Sequence, residues 1–172
     1  MEILDLYDKN GIKINKTIIR GEPINENEYC MAVDIWIKND KHQILITQRH
    51  PLKLYPKKWE CTSGFILSGE NSISGALREV EEEIGIKLNK EDCKNIHRIL
   101  RYNNGIYQHN WNMIVDIFLV NKNIDIKETK LQKEEVIDIK WVNEKEFIEM
   151  FQNNEVVEQL DYGLELLERG IL

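Results

Sequence analysis

The stretch from Gly64 to Ile86 constrains this chain more than any other part of its sequence. It reads GFILSGENSISGALREVEEEIGI, and nine of its positions follow the pattern G-x5-E-x7-R-E-U-x-E-E-x-G-U, where U is apolar. Glycines bound a segment in which charged and apolar residues alternate at helical spacing. The pattern therefore predicts a loop, a helix and a second loop that act as one unit.

The helix of this stretch has one apolar face and one acidic face. At about 3.6 residues per turn, one stripe collects the apolar residues Ile73, Ala76, Leu77, Val80 and Ile84. Glu79, Glu82 and Glu83 share another face, where like charges repel by about a few tenths of a kcal/mol per pair. Divalent cations that bind carboxylate oxygens would offset this repulsion. A solvated acidic surface is the other interpretation of the same glutamates.

The pattern resembles the Nudix box, and the chain resembles the Nudix superfamily. The resemblance extends more weakly to residues 44–49 before the box and 135–142 after it. It implies an α/β fold, a Nudix-type α/β/α sandwich with a central mixed sheet, to which this sequence adds an N-terminal β-hairpin. It also implies hydrolysis of a nucleoside diphosphate linked to another group, with Mg²⁺ or Mn²⁺ as cofactor. A homodimer is plausible by the same resemblance.

The resemblance assigns candidate site residues position by position. The candidate metal ligands come from the box and the residue before it: Ser63, Glu79, Glu82 and Glu83. Glu70 and Arg78 match the pair that supports the loop and orients the glutamates. Outside the box, Glu135 is the first candidate for a further acidic ligand or base, and Glu134 is the second. Either of these is also readable as a surface residue at the start of a strand.

The implied reaction needs an activated water and a site for the substrate. Bound divalent ions lower the pKa of a water molecule, and Glu82, Glu83 and Glu135 are candidates to accept its proton. Basic residues before the box are candidate phosphate ligands: Arg49, Lys53, Lys57 and Lys58. Arg49 is the best placed because it ends a predicted strand, whereas single lysines are more often surface residues.

The identity of the substrate stays open at this point. Nucleoside di- and triphosphates, sugar nucleotides, ADP-ribose-like molecules and dinucleotides all fit the box. Several aromatic residues are candidates to stack on a base: Trp36, Tyr102, Tyr107, Trp111 and Trp141. Aromatic residues in strands more often belong to the core or pair across strands.

Two alternatives to hydrolysis also stay open. The N-terminal segment looks like that of Nudix proteins related to isopentenyl diphosphate isomerase, which moves a double bond. That chemistry uses a Cys immediately before the box glycine and two His ligands, but here Ser63 and Phe65 flank Gly64, and Cys30 stands where a His is expected. The nearest thiol, Cys61, is two residues early. The second alternative is a module that senses a nucleotide without cutting it, which metal-dependent turnover would exclude.

Length, charge and cysteine content limit the remaining possibilities. With 172 residues and 42% hydrophobic content, the chain is expected to form a single domain over residues 1–172, with a hairpin extension at 1–24 and the box at 64–86. A net charge of −7 argues against a nucleic-acid polymer as partner. The N-terminal residues do not resemble a secretion signal, and no apolar run is long enough for a bilayer. Three cysteines without metal-type spacing fit reduced thiols, so we expect a cytoplasmic protein without a membrane partner.

Hydrophobic patterning predicts strands on both sides of the box. They cover residues 3–7, 12–19, 30–38, 43–48, 96–102, 112–120 and 136–142. Asn10-Gly11 favours a type I′ turn between the first two strands. A second turn is predicted at residues 103–105.

Two helices are predicted after the last strand. Asn143 and Glu146 form a potential capping box for a helix through Phe151. A final amphipathic helix is predicted over residues 155–168. Strands interleaved with a few helices predict a mixed sheet flanked by helices.

Overall fold

The computed structural model describes residues 1–103 and 111–172. The strands in these ranges are β1 (Ile3–Tyr7), β2 (Lys13–Ile19), β3 (Cys30–Lys38), β4 (Ile44–Arg49), β5 (Trp59–Glu60), β6 (Thr62–Phe65), β7 (Cys93–Asn103), β8 (Trp111–Asn121) and β9 (Val136–Val142). The helices are α1 (Ser72–Ile84), α2 (Glu144–Gln152) and α3 (Tyr162–Glu168). Within the described ranges, no helix has the length and apolar character needed to cross a bilayer. The turn predicted at 103–105 and the aromatic candidate Tyr107 fall at or beyond the edge of these ranges.

A seven-stranded mixed sheet forms the centre of the molecule. Strands β5, β4, β3, β8 and β7 lie side by side, while β6 pairs with β3 and β9 pairs with β4. β3 and β8 are parallel, and the other pairs of this sheet are antiparallel. Because β3 pairs with β4, β6 and β8, it carries the box strand β6 at the middle of the sheet.

Alternate residues of β3 face two different helical layers. Val33 and Ile35 pack in one cluster with Val80 of α1. Trp36 points to the other side, where its ring meets Phe147 of α2 with the centroids 5.5 Å apart. Successive side chains of a strand point to opposite faces of the sheet, so α1 covers one face, and α2 with α3 covers the other. The α/β/α sandwich predicted from the sequence is confirmed.

The N-terminal hairpin is present, but its turn differs from the predicted type. β1 and β2 form a separate two-stranded antiparallel sheet. Gly11 has a φ of +79°, while Asn10 is not among the residues with positive φ, and a type I′ turn needs positive φ at both. Instead, the Asp8 carboxylate accepts from the N–H groups of Asn10 and Ile12, both at 2.9 Å. The prediction of type I′ was wrong because this side chain stabilises a longer loop.

The two helices after β9 differ in how well they were predicted. The Asn143 side chain caps α2 by accepting from the N–H of Glu146 at 2.9 Å, but the predicted capping box is only half formed, because the Glu146 carboxylate accepts from Lys140 at 3.1 Å instead. The last helix begins at Tyr162, several residues later than predicted. Backbone hydrogen bonds from residues 155–157 to Trp59 hold this segment extended beside β5. Tertiary pairing therefore replaces the first turn of the predicted helix, and a short 3-10 turn follows.

Candidate active site

The box folds as a loop, a helix and a second loop. α1 begins after Asn71, whose side chain accepts from the N–H of Ser74, and it ends at Gly85 with a φ of 71°. The predicted apolar stripe faces the core: Ala76, Val80 and Ile84 are fully buried, and Ile73 and Leu77 are partly buried. Burial of the stripe fixes the rotation of α1, which turns the glutamate face toward β6.

Arg78 connects the loop of the box to its helix. Its Nε and Nη2 donate to the two carboxylate oxygens of Glu70 at 2.9 and 3.0 Å, and its Nη1 donates to Glu79 at 2.8 Å and Glu82 at 2.9 Å. Glu70 in turn accepts from the N–H of Leu67 at 3.0 Å. Burial alone would lower the pKa of Arg78, but the three carboxylates raise it overall. The guanidinium therefore stays charged and fixes two of the candidate metal ligands.

Gly64 allows Glu79 to lie directly against β6. A Cβ atom built on Gly64 would overlap the Glu79 carboxylate, so a larger residue there would displace the acid. Burial raises the pKa of Glu79 to about 7, although Arg78 pulls in the opposite direction. Gly64 and Glu79 are therefore in direct contact. This contact accounts for the need for a glycine at this distance before the glutamate in the sequence.

Glu83 is a buried acid with an unsatisfied oxygen. The residue is 5% exposed, and within the described part of the chain its Oε2 has no hydrogen-bond partner. Burial raises the pKa of Glu83 well above its usual value, and the nearby Glu60 and Glu79 add to the rise. An unpaired buried carboxylate oxygen costs about 1 to 3 kcal/mol or more. A cation at this oxygen would remove that cost, so the carboxylates fit a divalent ion by their chemistry.

The carboxylates do not form a ready ligand sphere as they stand. Across residues 1–103 and 111–172, no group of three or more His, Cys, Asp or Glu side chains is arranged to hold a metal ion. Glu79 and Glu82 are turned toward Arg78, and Glu135 is in close ionic contact with Lys53. Their present partners are the cations of the protein itself.

Two adjoining cavities open beside these residues. The first, which we call the glutamate cavity, has a volume of about 70 Å³ and is lined by Glu79, Glu82, Glu83, Arg78, Gln132 and Glu135 among others. The second, the β3 cavity, has a volume of about 110 Å³ and is lined by Asp34, Arg49, Tyr55, Glu60, Phe65 and Arg101 among others. Both cavities are bordered by Arg20, Lys53, Ser63, Gly64 and Glu83. An acidic region and a region with several cations therefore meet at Glu83.

The predicted phosphate ligands are placed differently from one another. Arg49 lines the β3 cavity, and its Nη1 donates to both oxygens of Glu60 at 2.5 and 2.6 Å. Lys58 borders neither cavity; its ammonium group donates to Asn154 at 2.6 Å on the surface. Lys53, another of the predicted candidates, borders both cavities. Lys57, which has a positive φ in this loop, also borders neither cavity.

Outside the box, the structure separates Glu135 from Glu134. Glu135 borders the glutamate cavity, whereas Glu134 is exposed and borders neither of the two cavities. Among the described aromatic candidates, Trp36, Tyr102, Trp111 and Trp141 do not line these cavities either. The aromatic rings at the β3 cavity belong to Tyr55 and Phe65.

Several site residues were not found from the sequence. Glu60 is 8% exposed, and burial raises its pKa despite the opposing effect of Arg49. Arg101 donates from Nη2 to Asp34 at 2.7 Å. Arg20 comes from the end of the N-terminal hairpin and lies 4.9 Å from the ring centroid of Phe65. Asp34 gave one signal, because an acid inside the apolar strand CMAVDIWIK requires a partner.

The thiols lie outside the two cavities. Cys30 and Cys61 are fully buried, and neither borders the glutamate cavity or the β3 cavity. Burial raises the pKa of Cys30 to about 12 and that of Cys61 well above its usual value. Neither sulfur is therefore available as an acid or nucleophile toward a molecule bound beside the glutamates.

Comparison with known proteins gives a consistent family assignment. The model of the NUDIX domain matches residues 28–160. An uncharacterized Nudix hydrolase of Listeria monocytogenes is 31% identical over 159 residues, which cover 91% of this chain and 89% of the relative. Nudix hydrolase 3 of Arabidopsis thaliana is 34% identical over 154 residues, covering 85% of this chain but 20% of that longer protein.

Solved structures agree with the fold. A crystal structure of a Deinococcus radiodurans protein superimposes with a TM-score of 0.71 at 19% identity, covering 98% of both chains. The NUDIX domain of Shewanella oneidensis NrtR, crystallised with ADP ribose, gives a TM-score of 0.63 at 15% identity and covers 84% of this chain and 89% of that one. At these identities the likeness concerns the arrangement of the backbone.

Proposed function

This chain belongs to the Nudix family and is a Nudix pyrophosphohydrolase, and we propose that it uses a divalent cation, Mg²⁺ or Mn²⁺, to cleave a nucleoside diphosphate linked to another group. The observation that carries this proposal is the unsatisfied Oε2 of the buried Glu83, at the border between the two cavities. A carboxylate in that position is costly without a cation. Cleavage at a diphosphate needs both a cation-binding and an anion-binding region, which meet there.

We assign the cation to the carboxylates of the glutamate cavity. Glu79, Glu82 and Glu83 are its proposed ligands, with Ser63 at the cavity border as a further candidate. A bound divalent ion would neutralise diphosphate oxygens and lower the pKa of a water molecule. Glu135 borders the same cavity from outside α1, and it is our candidate to accept the proton of that water.

The cations at the border of the two cavities are the proposed phosphate ligands. Lys53 and Arg20 border both cavities, and Arg49 borders the β3 cavity. Burial and the neighbouring Arg49 lower the pKa of Lys53, and its present partner is Glu135, so a substrate phosphate would replace that carboxylate as the partner of its ammonium group. Arg49 is already paired with Glu60, so we assign it to the wall of the β3 cavity. Lys58 has no role in this proposal.

We infer from the size of the site how much of the substrate it would enclose. The β3 cavity of about 110 Å³ is smaller than typical sites for whole drug-sized ligands, about 300 to 1,000 Å³. We therefore place one phosphate and its immediate linkage there, with the rest of the substrate outside. ADP-ribose is the first compound to test, since a structural relative was crystallised with it.

The domain assignment completes the proposal. The family model covers residues 28–160, and the hairpin before it packs against the box. Ser68 donates its N–H to the carbonyl of Ile3 at 2.8 Å. We propose that residues 1–172 act as one catalytic domain with residues 1–24 as an extension of the site.

The test compares two glutamates on the same helix. Glu83→Gln preserves shape but removes the charge that we assign to the cation, so kcat should fall by at least about a hundredfold, as losses of metal-binding groups do. Glu81→Gln is the matched control, because Glu81 is exposed and contacts only Lys87 at 3.2 Å among the ion pairs of the described residues. Activity would be measured on ADP-ribose and other diphosphates with Mg²⁺, with Mn²⁺ and with EDTA.

Binding is measured separately from turnover. A cation that binds only the folded protein stabilises it by about 2.7 kcal/mol at a hundred times Kd, which is roughly 5 to 11 °C in melting temperature for a domain of this size. Glu83→Gln should lose most of this shift and Glu81→Gln should keep it. Turnover that persists in EDTA, or a normal rate for Glu83→Gln, would contradict the proposed function.

A further inference from the structure

Asp5 is a buried acid in the N-terminal hairpin that faces the box. It lies on β1 and is 2% exposed. Buried acids are uncommon unless they are paired and hydrogen-bonded. The hydrogen-bond partners of Asp5 therefore show which part of the structure its carboxylate stabilises.

The Asp5 carboxylate holds the loop that leads into α1. It accepts from the Ser68 hydroxyl at 2.9 Å and from the Gly69 N–H at 3.0 Å. Lys13 of β2 donates to the same carboxylate at 2.6 Å. Burial alone would raise the pKa of Asp5, but these hydrogen bonds lower it below its usual value. The acid is thus charged at neutral pH, and a charged acceptor makes stronger hydrogen bonds than a neutral one.

The loop held by Asp5 connects directly to the glutamate face. Gly69 has a φ of +87°, a conformation that glycine adopts readily, so the direction of the loop at this point depends on its hydrogen bonds. The next residue, Glu70, receives two hydrogen bonds from Arg78. Arg78 in turn binds Glu79 and Glu82. A displacement of the loop at Gly69 would therefore pass to the proposed cation ligands through Glu70 and Arg78.

The hairpin also reaches the site at a second place. Glu2 and Arg20, next to the ends of β1 and β2, border the glutamate cavity and pair with each other at 2.7 Å. The match to the family model begins only at residue 28. The contacts from Asp5 and Arg20 are therefore made by a part of this chain that precedes the matched domain.

We propose that Asp5 is a positioning residue of the hydrolytic site, which fixes the box loop so that Arg78 presents Glu79 and Glu82 to the substrate-bound cation. The inference rests on the proposed function. This role of Asp5 is distinct from a purely structural one. Loss of its loop contacts should change the site more than it changes the stability of the core. Partners that orient metal ligands typically contribute about 10- to 100-fold to metal affinity or activity.

The main variant is Asp5→Asn, with Asp8→Asn as the matched control. Both remove one negative charge from the same hairpin, but Asp8 bonds only within its own turn among the described hydrogen bonds. Asp5→Asn should lower kcat by about tenfold with little change in KM for the substrate, and it should weaken Mn²⁺ binding measured by electron paramagnetic resonance about tenfold. Asp8→Asn should leave both quantities within about twofold.

Hydrogen exchange provides a readout that does not depend on catalysis. In Asp5→Asn the amide of Gly69 should exchange about tenfold faster or more, while amides of β3 and β8 keep their protection. Ser68→Ala removes one of the two loop contacts but leaves β1 intact, so it should show a smaller change of the same kind. If Asp5→Asn does not fold, kcat, Mn²⁺ affinity and the exchange rate of the Gly69 amide are measured on Ser68→Ala instead.

The outcomes separate this inference from the proposed function. Faster Gly69 exchange together with weaker Mn²⁺ binding supports the role of Asp5. Unchanged exchange and binding in Asp5→Asn, or losses equal to those of Asp8→Asn, would overturn it. A wild-type protein without any diphosphate hydrolysis would overturn the proposed function instead, and the exchange and Mn²⁺ measurements would still decide whether Asp5 positions the loop.

Discussion

Gly64 lies directly against the carboxylate of Glu79, one of the proposed cation ligands. A methyl group there would overlap the Glu79 carboxylate, so Gly64→Ala should displace Glu79 from the glutamate cavity. We expect kcat/KM to fall by about a hundredfold, in line with the effect of misplacing a group by about 1 Å. Gly163→Ala is the control, since its Cβ would press on Trp36 at 3.1 Å on the other side of the sheet. That variant should lose stability and keep its activity; equal activity losses in both would contradict the assignment.

At the scale of the element, α1 carries an acid whose protonation couples to folding. Burial raises the pKa of Glu79 to about 7 from 4.5. The folded protein thus holds a proton that the unfolded chain releases, so this stabilisation is complete below about pH 4.5 and is lost as the pH rises through 7. Without metal, the unfolding free energy of the wild type should fall relative to Glu79→Gln by about 2 kcal/mol between pH 5 and 8.

The measurement for α1 is urea unfolding in EDTA, followed by tryptophan fluorescence. Glu81→Gln provides the control, because it removes a carboxylate from an exposed position on the same helix. An excess divalent cation should reduce or reverse the trend, since it favours the ionised form of Glu79. A pH-independent difference between the wild type and Glu79→Gln would show that this acid titrates normally in the folded protein.

The elements that the sequence predicted well have local causes. α1 has its cap at Asn71, its apolar stripe and its stop at Gly85 within one short segment, so the pattern alone predicts it. The turn after β1 and the start of α3 depend on the Asp8 carboxylate and on backbone pairing with Trp59. Neither contact has a signature in hydrophobic periodicity.

The site follows the same division between local and distant causes. Arg78 and the box glutamates have fixed spacing, so their proximity was predictable from the sequence. Glu60 and Arg101 reach the cavities from β5 and β7, and their positions depend on the register of the sheet. Lys53 and Lys58 belong to one loop, and only its folded path brings the first to the site and leaves the second outside. Sequence spacing therefore predicts which residues of one helix lie together, whereas the positions of Glu60 and Arg101 depend on how the strands pair.

At the scale of the whole molecule, one buried network ties three elements together behind the β3 cavity. The Tyr162 hydroxyl of α3 donates to Asp34 of β3 at 2.7 Å and accepts from the indole N–H of Trp36 at 3.1 Å. Arg101 of β7 donates to the same Asp34 oxygen. Burial raises the pKa of Tyr162 well above its usual value, so the hydroxyl keeps the proton that it donates. The C-terminal helix is thereby linked to the wall of the cavity.

Tyr162→Phe tests this link without creating a large cavity. It leaves the Trp36 N–H without this acceptor and Asp34 with one donor fewer, which should cost about 1 to 3 kcal/mol and lower the melting temperature by roughly 2 to 12 °C for a domain of this size. Tyr102→Phe is the control, because Tyr102 is 55% exposed and its loss should change the melting temperature by less. The Mg²⁺-induced rise should survive in Tyr162→Phe, since the network contacts none of the proposed cation ligands. A melting temperature no lower than that of Tyr102→Phe would show that α3 is held by apolar packing alone.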